Sequence, residues 1–133
     1  MSRPKEPTWL SVIQVRMMHL ESLQLFGGSA GIRDPALLES ALDRPRNKWH
    51  YNSEVSLFEL AAAYGFGIAK NHAFVDGNKR ISLLAIRAFL FVNGQRFTPE
   101  EVETVTVIEG LAAGRVDEQT LAAWVETNCS PRA

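Results

Sequence analysis

Apolar positions recur at helical spacing along most of the chain, and strand-like alternation is scarce. Leu10, Ile13, Met17, Leu20, Leu23 and Leu25 form one such set. They predict a first helix from Trp9 to Phe26, capped by Thr8 and ended by Gly27 and Gly28. Asp34-Pro35 reads as an N-cap followed by proline at the first helical position. Leu37, Leu38, Ala41 and Leu42 give the inner face of a second helix, which Pro45 is expected to stop. Arg46 to Asn52 is polar and aromatic without a period and is expected to be irregular. Ser53 or Ser56 starts a third helix that reaches Lys70 or Asn71. A fourth runs from Asn78 to Asn93, closed by Gly94. Ten of the twelve residues from Ile81 to Val92 are apolar, which marks a central helix wrapped by others. Thr98, Pro99, Glu100 and Glu101 supply a cap, a first-turn proline and acids against the dipole for a fifth helix, ending near Gly110 or Gly114. Its stretch Val102 to Ile108 is rich in β-branched residues and pulls toward strand. Asp117 caps a sixth helix through Leu121, Trp124 and Val125. The expected fold is all-α: a compact bundle of about six helices, one domain over residues 1–133, without repeats or linkers.

Composition narrows the function classes. A chain of 133 residues can build a core without staples. A net charge of −1 gives no broad footprint for nucleic acid. The single cysteine, Cys129, can form no intramolecular disulfide, fits a reducing cytosol and is expected to be a tail residue without a role. No apolar leader opens the sequence, and the apolar stretch Ile81–Val92 is too short for a membrane span of roughly 20 residues. The expectation is a cytoplasmic protein with no membrane contact.

One loop departs from this ordinary picture. Between the third and fourth helices lie His72, Asp76, Asn78, Lys79 and Arg80, five chemically distinct polar residues within nine positions. If a helix begins at Asn78, its first N–H groups lack intrahelical partners and its dipole is positive there. Gly77 would let a ligand approach those groups, which makes a phosphate site. Lys79 and Arg80 add charge at the helix end where cations are unfavourable, and such broken local rules tend to mark function. A carboxylate at Asp76 beside a phosphate site suits Mg²⁺. An imidazole titrates near about 6.5, so His72 suits a general base. Phe74 can anchor the loop by burying its ring. The chemistry implied is transfer of a phosphate-containing group from a nucleotide to a hydroxyl. Each residue alone has a plainer explanation. His72 can be a helix-end residue bonded to a carbonyl, Asp76 an N-cap, Gly77-Asn78 a turn, and Lys79 and Arg80 solvated charges. None of these explains the crowding.

The stretch His72-Ala73-Phe74-Val75-Asp76-Gly77-Asn78-Lys79-Arg80 resembles the signature of Fic/Doc (fido) proteins, His-x-Phe-x-Asp/Glu-Gly/Ala-Asn-Gly/Lys-Arg. It is most similar to the Doc branch, the toxins of Phd–Doc toxin–antitoxin modules. The segment Gly27 to Leu42 is also similar to that branch, and the likeness covers residues 8–128. The resemblance implies an all-α bundle whose motif joins two central helices. It implies His72 as base, Asp76 as Mg²⁺ holder, Gly77, Asn78 and Lys79 as anion cradle, Arg80 as phosphate contact and Phe74 as a structural residue. Fic enzymes that transfer AMP usually have Gly where Lys79 stands and a second Arg where Leu83 stands. Both departures disfavour AMP transfer. In the Doc branch the nucleotide is thought to lie reversed, so that the γ-phosphate meets a threonine of elongation factor Tu and translation stops.

The expectation is therefore a Doc-like toxin using ATP and Mg²⁺, held by a Phd-like antitoxin. AMP transfer by the same site, a binding module without chemistry and a structural helical domain are the rivals. Some Fic proteins inhibit themselves with Ser/Thr-x-x-x-Glu-Gly/Asn. Thr106-Val107-Ile108-Glu109-Gly110 is one residue short of it, so inhibition in trans is expected. Elsewhere, His19 is expected to be structural and Arg33 to pair with Asp34. Lys70 and Asn71 either line the site or are helix-end polarity, and Trp49, His50 and Tyr51 are expected to pack.

Overall fold

The computed structural model describes residues 5–132. Among them, six helices and one ribbon follow in the order α1 (Val12–Phe26), α2 (Pro35–Tyr51), α3 (Leu57–Asn71), α4 (Asn78–Val92), β1 (Gln95–Phe97), α5 (Glu101–Ala112), α6 (Glu118–Thr127) and β2 (Cys129–Pro131). The fold is all-α, as expected. The first four residues of the expected leader-free start lie outside the described residues. Among the described residues, no helix is long and apolar enough to cross a membrane.

The centre is α3. Ser56, one of the two expected caps, accepts from the Glu59 N–H at 3.1 Å. Ala61, Ala62, Ala63, Gly65 and Gly67 then keep its surface small, and it packs against α2, α4 and α6. At Gly65 the approach of α4 leaves no room for a side chain. An added Cβ would lie 2.5 Å from Ile86 Cδ1, and the Ser82 hydroxyl donates to the Gly65 carbonyl at 2.7 Å. Tyr64, Ile68, Ile81, Ile86, Phe89 and Leu90 of these two helices are fully buried in the core.

Several boundaries differ from the sequence expectation, each because tertiary contacts won. Thr8 does not cap α1. Its N–H and carbonyl are taken by the Asn93 side chain at 2.8 and 2.9 Å, and Leu10 N–H donates to the Tyr64 hydroxyl at 3.0 Å. Ser11 caps instead, in a capping box with Gln14. The inner face of α1 is Val15, His19 and Ser22, while Ile13, Met17, Leu20 and Leu25 are exposed. Pro45 does not end α2, and Arg46 to Asn52 is not irregular, since the helix continues to Tyr51. An interior proline costs about 3 kcal/mol. The gain beyond it is Trp49, which is buried and meets Trp9 edge-on at 6.3 Å; Tyr51 points to solvent. Thr98 does not cap α5, because the preceding residues are drawn into the antiparallel ribbon with Phe97 opposite Cys129 and Thr98 N–H bonded to Asn128. Glu100 caps that helix, accepting from Val102 and Glu103. Cys129 is thus part of a strand rather than a loose tail.

Candidate functional site

The loop begins with an unusual backbone. His72 follows the end of α3 with φ 49° and ψ 49°, the only non-glycine residue at positive φ among the described residues. That conformation costs an L-residue about 1–2 kcal/mol. Arg33 holds it. Its Nε donates to the His72 carbonyl at 2.9 Å and its Nη2 to the Asn71 carbonyl at 3.1 Å. Arg33 N–H also donates to the Ala73 carbonyl at 2.7 Å, and Val75 N–H to the Gly31 carbonyl at 3.1 Å, so residues 31–33 and 73–75 form a short antiparallel bridge. The expected Arg33–Asp34 pair is thereby replaced. Asp34 does cap α2, through the Ala36 N–H at 3.0 Å, but Arg33 reaches across to α3. Two orphan carbonyls at a helix C-terminus are a favourable place for a guanidinium.

The loop is pinned from inside. The Phe74 ring is 1% exposed and stacks on His19 with ring centres 3.9 Å apart. Burying such a ring contributes about 1.5–3 kcal/mol. His19 is buried too, and its Nε2 lies 2.8 Å from the Asp76 carbonyl. A carbonyl only accepts, so Nε2 carries the proton. The expected structural role of His19 is what its contacts show, at the loop itself. The Asn78 side chain turns back on Phe74, accepting from its N–H at 3.1 Å and donating to its carbonyl at 2.9 Å. With its side chain committed to Phe74, Asn78 offers its backbone N–H at the helix start. Asn71 likewise faces inward and donates to the Leu37 carbonyl at 2.9 Å, whereas Lys70 is exposed.

The Asp76 carboxylate accepts from Ser29 N–H at 3.2 Å and from Gly77 N–H at 2.8 Å. These two amides, Ser29 first, hold its carboxyl below the ordinary 3.8, so it is ionised at neutral pH. Gly28 makes this possible: a Cβ there would sit 2.8 Å from Asp76 Oδ2. A carboxylate offers about four lone-pair sites, and two remain. Among the described residues, no group of three or more His, Cys, Asp or Glu could hold a metal alone. One ionised carboxylate with free lone pairs is a donor set that suits Mg²⁺ only together with oxygens from outside the protein.

Helix α4 starts at Asn78 behind Gly77 (φ 84°), and no side chain caps it. Its first backbone bond runs from Ile81 N–H to the Gly77 carbonyl at 3.0 Å. The N–H groups of Asn78, Lys79 and Arg80 thus stand at the positive end of a fifteen-residue helix, the arrangement that binds anions. Lys79 is exposed, with Nζ 3.6 Å from Glu109 Oε1. Arg80 is anchored: Nη1 donates to the Ser22 hydroxyl at 3.0 Å and to the Ser22 and Gly27 carbonyls, and its guanidinium lies 5.2 Å from the Phe26 ring centre. The exposed His72, the ionised Asp76, the open amides and Lys79 therefore share one junction between α3 and α4. Sequence reasoning gave no place at the site to Ser22, Gly28 and Ser29, which carry no chemistry of their own and act only through proximity.

This assembly defines a class: an all-helical domain whose central helix pair carries an uncapped helix N-terminus in the same loop as a histidine and a carboxylate. The Fic/DOC family model matches residues 9–90, and the chain belongs to the Fic/Doc family. It is similar to the protein named Protein kinase doc of Escherichia phage P1, 33% identical over 106 residues, covering 79% of this chain and 82% of that one. It is also similar to Toxin Doc of Mycolicibacterium smegmatis, 41% identical over 70 residues, 52% of this chain and 54% of that one. Among solved structures, the BepC effector protein of Bartonella tribocorum with bound AMPPNP shares the fold. Its TM-score is 0.50 at 17% identity, over 81% of this chain and 55% of that one.

Proposed function

We propose that this protein, acting as a single domain over residues 1–133, is a Doc-type toxin that transfers the γ-phosphate of ATP to a protein hydroxyl. The observation that carries this is the junction of exposed His72, ionised Asp76 and the uncapped amides of Asn78, Lys79 and Arg80. Similarity to a protein kinase of the Doc type supports it. His72 takes the proton from the hydroxyl of a target threonine. The freed oxygen forms a bond to the γ-phosphorus as the bond from that phosphorus to the bridging oxygen breaks, and ADP leaves. The amides at the α4 terminus, Lys79 and Arg80 hold the phosphates, and Gly77 keeps the approach open. Asp76, with phosphate oxygens, would hold Mg²⁺, which would neutralise phosphate charge. The substrate we propose is elongation factor Tu, whose modification would arrest translation in the cytoplasm.

The partner we propose is a Phd-like antitoxin. A groove of about 560 Å³ between α1 and α4 supports this. It is lined by Met18, Leu25, Phe26, Leu84, Ala88 and Phe91 and suits an apolar helical segment. Inhibition would then come in trans.

ATP labelled at the α or the γ position tests the reaction. Label on the target from γ-labelled ATP alone is expected; label from α-labelled ATP would mean AMP transfer. His72→Ala is expected to remove both label transfer and growth inhibition. Undiminished toxicity would instead point to a binding module without chemistry.

A further inference from the structure

We propose that Arg33 is a positioning residue for the His72 base, acting by holding the left-handed turn that presents the imidazole. This rests on the phosphotransfer reading above. His72 is exposed, and no side chain among the described residues fixes its ring by a hydrogen bond, so its place is set by its own backbone. That backbone is the only one at positive φ carried by a residue with a side chain among the described residues. Left to itself, the end of α3 would continue helically through His72 and carry the ring to another face of the helix. Arg33 makes three bonds that oppose this, beside the Asp34 N–H on the Ala73 carbonyl at 3.3 Å and the Val75 N–H on the Gly31 carbonyl at 3.1 Å. Nε binds the His72 carbonyl, Nη2 binds the Asn71 carbonyl, and the backbone N–H binds the carbonyl of Ala73. Two of the three come from one planar guanidinium, whose fork geometry a lysine ammonium cannot reproduce. The third belongs to the main chain and is kept by both Arg33→Met and Arg33→Lys. Arg33 itself is exposed, and its side chain is spent on these two carbonyls rather than on Asp34, its neighbour in sequence. The Arg33 side chain therefore sets the geometry of the base while remaining outside the reacting atoms.

The test compares the full-length parent with Arg33→Met and Arg33→Lys. Transfer from γ-labelled ATP to purified elongation factor Tu gives kcat and KM, and NMR reads the His72 backbone. At positive φ, His72 shows a strong intraresidue NOE between its amide proton and Hα. Arg33→Met is expected to lose that NOE and to lose about 10²-fold in kcat, with KM for ATP within about twofold. Arg33→Lys is expected to fall between, since one donor can be regained. Added methylguanidinium is expected to restore part of the rate to Arg33→Met. The proposal is overturned if Arg33→Met keeps the His72 NOE, or if its rate falls only in step with the folded fraction. If the parent itself transfers no label, the phosphotransfer reading fails, and the NMR arm still decides whether Arg33 sets the turn.

Discussion

Arg80 lies on α4 but is bonded to the far end of α1, its Nη1 reaching the Ser22 hydroxyl at 3.0 Å. The N-terminal turn of one helix is thus tied to another helix that is distant in sequence. Ser22 is buried, so removing its hydroxyl takes an acceptor from a charged group. Ser22→Ala is expected to cost about 1–3 kcal/mol in denaturant unfolding. It is also expected to raise the KM for ATP more than it lowers kcat, because Arg80 loses its preset position. A change in neither stability nor KM would mean that the two carbonyl contacts suffice.

Asn78 carries a different expectation from the one its place in the motif suggests. Its side-chain amide closes the loop on both backbone groups of Phe74. Asn78→Ala leaves that N–H and that carbonyl without partners in a partly buried turn, at about 1–3 kcal/mol. Asn78→Asp keeps the acceptor and loses the donor, so it is expected to be intermediate. Chemical denaturation of the three proteins checks the order; a stable Asn78→Ala with low activity would instead assign the side chain to the substrate.

Acid is expected to weaken the fold through identifiable carboxylates. Burial pushes the Glu118 carboxyl up, but hydrogen bonds from Lys48 and Arg44 outweigh this and hold it below the ordinary 4.5. Asp76, Glu100 and Asp117 are also held low, by backbone N–H groups and, at Asp117, by the Thr120 side chain first. A carboxyl depressed in the folded state stabilises fully above its unfolded value, and the contribution is lost as pH falls through the folded value. Unfolding free energy should be flat from neutrality down to about pH 5 and decline below about 4.5. Glu118→Gln should make that decline shallower by a fraction of one proton. An unchanged slope would show that the pair does not outlast solvent screening.

The number, order and rough limits of the helices were legible because apolar spacing and caps such as Asp34, Ser56 and Asp117 act locally. Boundaries failed where a partner distant in sequence decided them: Asn93 took Thr8, β2 took the residues before α5, and Trp49 carried α2 past Pro45. The spacing of α1 was legible but its inner face was not, since both sides are apolar in part and burial of His19 against Phe74 chose between them. At the site, the chemistry-bearing residues were visible because they crowd nine positions. Their supports were not, because Arg33, Ser29 and Ser22 reach the loop only once α1 and the segment after it are folded against α4.

The Lys79–Glu109 pair yields the last expectation. Lys79 stands where phosphates would bind, and its ammonium lies 3.6 Å from a carboxylate on α5. Both side chains are more than half exposed, so the pair is worth about 0.2–1 kcal/mol. A bound phosphate must compete with Glu109 for that charge. Glu109→Gln is therefore expected to lower the KM for ATP by up to about fivefold, the factor that 1 kcal/mol allows. Lys79→Met should raise KM, and in that background Glu109→Gln should have no further effect if the two act only through each other. The difference between Glu109→Gln and the parent should shrink as salt rises and screening shortens the reach of the pair. If Glu109→Gln raises KM instead, the carboxylate orients Lys79 toward the nucleotide and does not compete with it.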